Sequence, residues 1–306
     1  MPAFIDPPLW TNEQLEEGRQ HGIALFIAER SATLGPRYQE TLARNIAFVT
    51  DLFAASDNLR DLATGQALAA RPALIDTARY LAGPPISQDV FDVLAGTSIA
   101  KRKRLDTDQA RQAALLLETV LDQRRFPWLF ETPPRQPTAT EREVAIAWTA
   151  GLKTSQEVAT ELRTQSSTRQ EQAVAAILER AGFARREGKN ITFVDDLERG
   201  SYRRETLVAG TKCDIPARLH DGRLLLIECK VSNTGTNSVK RLNRECGGKA
   251  AKWRAAFGQS AVCAAVIAGV FRLVNLQDAQ ASDRLTLFWE HDLTPLERFL
   301  AQAQPS

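Results

Sequence analysis

The sequence predicts an α/β protein in which a mixed sheet is flanked by helices and follows an N-terminal all-helical region. Up to about residue 130, apolar side chains recur at three- and four-residue steps, the pattern of amphipathic helices. Beyond residue 144, helical segments alternate with short apolar runs that indicate strands, which is typical of α/β domains. We therefore divide the chain into a helical region at 1–130, a linker at 131–143 and an α/β domain at 144–306.

Two amphipathic segments support the helical region. In the first, Leu42, Ile46, Val49 and Phe53 share one face, and DTDQARQAALLLETVLDQRR repeats this spacing further along the chain. The basic run KRKR at 101–104 is either a phosphate clamp or a solvated charged face. The linker ETPPRQPTATERE contains three prolines and several small polar residues, a composition typical of connecting segments.

The predicted elements of the α/β domain follow one another along the second half. They are a helix at 167–183, extended pieces at 189–196 and 202–210, a hairpin at 211–230, a helix at 237–258 that breaks near Gly247-Gly248, strands at 261–271 and 284–292, and a closing helix from 294. Trp253 is expected in the core.

Bulk composition excludes several classes of protein. The longest apolar run, 261–271, is shorter than the roughly 20 residues of a membrane span, and no signal peptide is visible, so we expect a cytoplasmic protein without a membrane partner. The four cysteines form no CxxC pair and indicate reduced, buried thiols. The three histidines have no metal-binding spacing. Motifs of ATP-driven translocases, dinucleotide enzymes and α/β-hydrolases are missing from the sequence.

Positive charge is concentrated in one part of the chain. The whole chain carries a net charge of +2, but residues 199–257 contain 13 Lys or Arg and only 5 Asp or Glu. A concentrated positive field is what phosphate binding requires.

Within this basic part, the hairpin TKCDIPARLHDGRLLLIECK carries charged side chains on apolar strands. Side chains alternate between the two faces of a strand, so Glu228 and Lys230 share a face and emerge together at the strand's C-terminal end. A two-residue loop at Asp221-Gly222 would place Asp214 opposite Cys229, on the wrong face. We therefore predict a bulge or a longer turn that brings Asp214 beside Glu228 or Lys230.

Such a cluster has a chemical use. Two carboxylates at adjacent strand ends suit Mg²⁺, which prefers oxygen ligands and retains waters, and Lys230 could hold a phosphate or a water beside them. Together these groups would hydrolyse a phosphodiester. The alternative is a surface hairpin with a Glu–Lys pair. Glu171 is a further candidate: it lies on the inward stripe of its helix, although Thr168 and Glu171 also fit a capping box.

These residues resemble a known family. Asp214, Glu228 and Lys230 resemble the PD-(D/E)xK nuclease motif, with Cys213 at the position of the motif's proline. KVSNTGTNSVKRLNRE, together with GTKCDIPARL and the helical N-terminal half, resembles the XamI-type group of type II restriction endonucleases. The resemblance covers most of the chain and is strongest from about 165 to 260.

The resemblance implies a restriction-endonuclease-like fold and a Mg²⁺-dependent homodimer. Such an enzyme cuts both strands of double-stranded DNA at a short palindrome, for which the resemblance suggests GTCGAC, while a separate cognate methyltransferase protects the host. Asp214 and Glu228 would be metal ligands, Lys230 the catalytic lysine, and Glu171 the helix acid that many such nucleases carry before the hairpin.

The segment after the catalytic strand is the candidate DNA-binding surface. Asparagine and arginine side chains can bond base edges, and basic side chains contact phosphates. The candidates are Ser232, Asn233, Asn237, Ser238, Lys240, Arg241 and Arg244. The alternative is a solvated basic helix with Asn237 or Ser238 as its N-cap. For the protein as a whole, a structure-specific or repair nuclease and a non-cleaving DNA-binding regulator are the rival functions.

Overall fold

A computed structural model describes residues 4–96 and 105–303, so the basic run at 101–104 lies outside the described residues. The chain divides into two compact units, one formed by Met1–Ala32 with Leu162–Ser306 and the other by Thr33–Glu161. These bounds differ from the expected division near residues 131–143 because two long helices, α1 (Asn12–Ala55) and α6 (Ala139–Arg180), each contribute residues to both units. The extent of the catalytic domain at 144–306 stays a prediction.

The unit at Thr33–Glu161 is helical where the structure describes it. Between α1 and α6 lie α2 (Gln66–Ala70), α3 (Leu74–Ala78), α4 (Gln88–Leu94) and α5 (Thr107–Val120), with 3₁₀ turns at Leu62–Thr64, Arg79–Leu81 and Pro127–Leu129. The expected stripes are buried only in part: Val49, Phe53 and Leu117 lie in one core cluster, and Leu42 packs against it half-buried. Ile46 is exposed, so its expected place on the buried face is wrong. In the residues described, no helix is both long and apolar enough to cross a membrane.

Helix α6 is longer than the sequence predicted. Its first turn is held by a capping box in which Thr138 Oγ1 accepts from the Glu141 N–H at 3.2 Å and Glu141 accepts from the Thr138 N–H at 2.8 Å. The helix then continues to Arg180. The capping box expected at Thr168 and Glu171 is therefore wrong, because both residues lie inside the helix, where main-chain N–H groups already have partners.

The other unit contains a six-stranded mixed sheet in the order β1-β3-β6-β7-β8-β9, and β2-β4-β5 form a separate three-stranded sheet. The strands are β1 (Ala184–Arg185), β2 (Asn190–Ile191), β3 (Ser201–Tyr202), β4 (Thr206–Val208), β5 (Thr211–Cys213), β6 (Ile215–Arg218), β7 (Leu224–Ser232), β8 (Ala261–Gly269) and β9 (Thr286–Trp289). Strands β7, β8 and β9 run parallel, and β6 pairs antiparallel with β7. The predicted fold class, a mixed sheet flanked by helices after a helical N-terminal region, is confirmed.

Helices follow β7 along the chain and cover the sheet. They are α7 (Gly235–Ser238), a π-helix (Val239–Gly247), α8 (Gly248–Phe257), α9 (Leu273–Ala281) and α10 (Thr294–Gln302). The expected break at Gly247-Gly248 is wrong, because both glycines keep right-handed helical dihedrals and only the winding changes from π to α there. Trp253 is fully buried, and its indole N–H donates to the Val208 carbonyl at 3.1 Å, which confirms its core position.

Strand β7 is buried on both faces, as its apolar alternation predicted. Leu224 and Leu226 pack in one core cluster, and Leu225 and Ile227 pack in another on the opposite face. The four cysteines are free and buried, which confirms the expectation of unpaired core thiols.

The hairpin between β6 and β7 has the longer turn that the sequence analysis required. Ile215 pairs with Ile227, and the Leu219 N–H donates to the Arg223 carbonyl at 2.8 Å, so three residues form the loop. Gly222 closes that loop at φ 100°, a left-handed conformation that glycine adopts without steric cost. Continued by one step, this register sets Asp214 opposite Glu228.

Candidate active site

Asp214, Glu228 and Lys230 meet at the C-terminal end of β7, where the pairing with β6 has ended. The Lys230 ammonium lies 2.8 Å from Asp214 Oδ2 and 2.9 Å from Glu228 Oε2. Asp214 Oδ2 also accepts the main-chain N–H of Cys229 at 2.8 Å. The structure thus brings together the three side chains that the motif singled out.

Lys249 is a fourth member of this cluster that the sequence reasoning did not single out. It begins α8, and its ammonium lies 2.6 Å from Glu228 Oε2. No local spacing links it to Glu228, because the π-helix and the first turn of α8 must fold back over the strand before the two meet. The only sequence signal was its place in the basic segment.

Glu228 is fully buried, which makes its ionic partners important for the fold as well as for chemistry. Both ammonium groups bind the same oxygen, Oε2. The other oxygen, Oε1, is buried without a hydrogen-bond partner among the described residues. A buried polar atom without a partner is uncommon in a stable core and is a reason to look for a missing ligand.

The electrostatic environment keeps Lys230 charged. Burial alone would lower the pKa of the Lys230 ammonium, but the carboxylates of Glu228 and Asp214 outweigh burial and raise this pKa above its usual value. Lys230 therefore acts as a hydrogen-bond donor and a positive charge at neutral pH.

Glu171 projects from α6 and is half-buried. Its carboxylate accepts from the Ser167 hydroxyl at 3.2 Å. Burial, followed by repulsion from the Asp214 carboxylate, raises the pKa of Glu171. The Asp214 carboxylate thus acts electrostatically on Glu171, whose role at the site stays a prediction.

The residues at this site fit a divalent cation. Asp214 and Glu228 supply two carboxylates on adjoining segments, and the unpartnered Oε1 of Glu228 offers a free oxygen ligand. Such a pair suits Mg²⁺, which retains several waters and needs only one or two protein carboxylates. No cluster of three or more His, Cys, Asp or Glu side chains within the described ranges has the spacing of a metal site.

The candidate DNA-binding residues do not all reach the surface. Ser232 and Ser238 are fully buried, and their hydroxyls donate to the carbonyls of Thr234 and Gly235 at 2.8 and 2.6 Å. Neither serine presents its side chain to a ligand in this structure. The helix N-cap is Thr234, whose hydroxyl accepts from the Asn237 N–H at 3.2 Å, so the expectation of Asn237 or Ser238 as the cap is wrong.

The other candidates remain accessible. Asn233, Asn237, Lys240 and Arg244 are exposed and Arg241 is half-buried. Residues 239–247 wind as a π-helix, whereas the sequence predicted a helix without specifying its winding. The buried pair Leu242 and Cys246 is four residues apart, and this spacing suits either winding, so the hydrophobic pattern could not distinguish them.

Comparison with known proteins agrees with this geometry. The family model of the XamI restriction endonuclease matches residues 57–289. The type II restriction enzyme XamI from Xanthomonas campestris pv. amaranthicola is 36% identical over 271 residues, which cover 84% of this chain and 94% of that protein. No solved structure matches the chain. The family match covers most of the chain and includes all four residues of the charged cluster. The chain belongs to the XamI restriction endonuclease family.

Proposed function

We propose that this protein is a Mg²⁺-dependent type II restriction endonuclease that hydrolyses phosphodiester bonds in both strands of duplex DNA at a short palindrome. The convergence of Asp214, Glu228 and Lys230 at one strand end carries this proposal. Ligands commonly bind at such strand ends in open α/β sheets. Family membership supports the same reaction class, and GTCGAC is the first sequence to test.

The side chains have separate roles in this reaction. Asp214 and Glu228 would hold the divalent cation, which when bound stabilises the negative charge that develops on the phosphate. Lys230, kept protonated by its two carboxylate neighbours, donates a hydrogen bond to the scissile phosphate. Glu171 is a further acid of the same site. Lys249 fixes the orientation of the Glu228 carboxylate through its contact at 2.6 Å.

The DNA substrate and the twofold symmetry of a palindromic target imply binding partners for this protein. A palindrome has two equivalent halves, and a symmetric dimer places one catalytic site on each strand, so we propose a homodimer. Asn233, Asn237, Lys240, Arg241 and Arg244 are the residues that we assign to DNA contact, with most of these contacts going to phosphates. A separate methyltransferase would protect host DNA, and the enzyme would act in the cytoplasm.

Digestion of plasmid DNA tests the proposal. Supercoiled plasmid with and without GTCGAC is incubated with the protein and Mg²⁺, and the fragment ends are sequenced. Discrete fragments with a common palindrome at their ends support a restriction enzyme, whereas cutting of branched or damaged DNA alone would indicate a repair nuclease. A mobility shift that leaves the DNA intact would indicate a DNA-binding regulator. EDTA should abolish cleavage, and added Mg²⁺ should restore it.

Variants then test the site itself. Glu228→Ala and Lys230→Ala should abolish cleavage while DNA binding largely remains, since the exposed contact residues are intact. Lys189→Ala is a matched control because Lys189 is exposed and lies outside the cluster. Calorimetric titration with Mg²⁺ gives a second readout, and Asp214→Asn should weaken the binding of the cation. Cleavage at wild-type rate by Lys230→Ala would remove the site assignment.

A further inference from the structure

A small depression beside the active site is lined by three arginines that come from three different elements. Arg30 belongs to α1, Arg163 to α6 and Arg241 to the π-helix, and all three lie in the unit that contains the sheet. The depression has a volume of about 70 Å³. A volume of roughly 10–15 Å³ is enough to hold one water molecule. The depression is therefore large enough for a phosphate group.

The lining is positively charged and polar. Its described residues include the three arginines together with Ser167 and Asn233, and none is Asp or Glu. Three guanidinium groups that line one space concentrate positive charge there. Arginine presents its N–H groups as a planar fork that matches two oxygens of a phosphate. The residue types therefore select a phosphate-like anion.

Arg30 is already oriented for this role. Its guanidinium lies over the Phe26 ring at 5.1 Å from the centroid, and its Nη2 reaches Asn233 Oδ1 at 3.5 Å. Stacking on an aromatic face holds a guanidinium in place and leaves its N–H edge available. Arg241 has no carboxylate within ion-pair distance in the part of the chain that the structure describes. Its charge is therefore available to an external anion.

The position of the depression ties it to the catalytic residues. Cys229, which contributes to the lining, stands between Glu228 and Lys230 in β7. Ser167 also lines the depression, and its hydroxyl donates to Glu171 at 3.2 Å. The depression and the catalytic cluster thus share a strand segment and a helix turn. A DNA strand whose scissile phosphate lies at Lys230 would place a neighbouring phosphate close to the depression.

We propose that Arg30, Arg163 and Arg241 together bind a single backbone phosphate of the cleaved strand, adjacent to the scissile bond. This inference rests on the proposed function, because it takes duplex DNA that is cleaved at Lys230 as the substrate. Arg30 and Arg163 are new assignments, because they lie far in sequence from the segment at 232–244 that was identified as the DNA-binding surface. Their role is to fix the register of the strand relative to Lys230, and a phosphate contact does so without reading the sequence.

The salt dependence of DNA binding tests whether the three arginines share one phosphate. Binding of a duplex that the wild-type protein cleaves is measured in EDTA at increasing salt, for the wild type and for the Arg30→Ala, Arg163→Ala, Arg241→Ala triple variant. Loss of one phosphate contact lowers the slope of log K against log salt by about 0.9. Between about 50 and 200 mM salt, the triple variant should therefore lose about 3.5-fold less affinity than the wild type.

Three further measurements make the test specific. A methylphosphonate scan of the duplex should find one position near the cut at which neutralisation weakens wild-type binding and leaves the triple variant unaffected. Arg298→Ala, an exposed arginine on α10, is the matched control and should keep the wild-type slope. A triple variant with Lys at the three positions retains the charges and serves if the alanine variant does not fold. It should keep the slope but bind more weakly at every salt concentration.

The outcomes separate this proposal from the proposed function. An unchanged slope in the alanine variant would refute the proposal that the three arginines bind a phosphate. A slope lowered by about 2.7 would also overturn it, since it would mean three independent phosphate contacts. If the wild-type protein cleaves no DNA at all, the proposed function is refuted. This result is obtained from plasmid digestion before any variant is made.

Discussion

Replacing Lys249 by methionine should destabilise the unit that contains the sheet, because the Glu228 carboxylate depends on it. That carboxylate is fully buried, and its ionic partners within the described residues are Lys230 at 2.9 Å and Lys249 at 2.6 Å. Methionine keeps most of the apolar stem and removes the ammonium. The change therefore isolates the charge from the packing.

The magnitude follows from what remains after the substitution. Breaking a buried ion pair completely costs about 3–5 kcal/mol, and one hydrogen bond to a charged group contributes about 1.5–3 kcal/mol. Lys230 stays beside Glu228 in the variant, so the lower range applies, and we expect a loss of about 2 kcal/mol in the free energy of unfolding. In a Glu228→Gln background there is no charge to stabilise. There, Lys249→Met should cost less than about 0.5 kcal/mol.

Urea unfolding followed by tryptophan fluorescence measures this coupling, since Trp253 lies in the core cluster on the same face of the sheet as Leu226. The four proteins of the double-mutant cycle give a coupling energy that we expect at about 1.5 kcal/mol or more. Lys252→Met is the matched control, because Lys252 is an exposed lysine on the same helix. Equal losses for Lys249→Met in both backgrounds would refute the argument, as would an unchanged midpoint in the Lys249→Met single variant.

Three further predictions concern other parts of the molecule. Arg125 is buried and its guanidinium donates to the carbonyls of residues 80–82, so Arg125→Met should cost about 3 kcal/mol in thermal unfolding, whereas exposed Arg124→Met should change little. Burial would raise the pKa of the Asp76 carboxyl, but Lys153 and Arg79 outweigh burial and lower this pKa below its ordinary value of 3.8. The ionised Asp76 therefore stabilises the folded state above pH 3.8, and this stabilisation is lost as the pH falls through the lowered pKa. Asp76→Asn should then destabilise at pH 7 by an amount that shrinks towards pH 3, and a constant difference would contradict this. The four buried thiols should resist a thiol reagent until the protein unfolds, and rapid native labelling would contradict their burial.

The strand faces of the catalytic hairpin could be predicted because the two-residue period is a property of every strand. Alternation alone placed Glu228 and Lys230 on one face and marked the point at which charge replaces apolar side chains. It also showed that a regular two-residue loop would leave Asp214 misplaced. A bulge or a longer turn was inferred from this conflict, and the structure has the longer turn, a three-residue loop that the left-handed Gly222 closes.

Elements that depend on distant contacts could not be predicted in the same way. The segment around Thr168 contains small polar residues that resemble a helix start, but Ser166 and Gln170 are buried within α6 and the helix continues through it. Tertiary packing outweighs the weak local preference there. Lys249 could not be assigned to the site from the sequence for a related reason, because only the folded structure brings it close to Glu228. Likewise, His21 and His291, far apart in sequence, stack with their ring centroids 4.5 Å apart.

The placement of Asp214 shows how the sheet itself holds a carboxylate of the candidate active site. Strand β6 pairs with β7 from Arg218 to Ile215, and one residue further the antiparallel ladder ends. The Cys229 N–H would lose its partner at that point, but Asp214 Oδ2 accepts it at 2.8 Å and also binds Lys230. A side-chain oxygen therefore replaces a main-chain carbonyl in the ladder. Because hydrogen bonding to a buried main-chain donor fixes this carboxylate, its position is set by the fold before any cation or DNA binds.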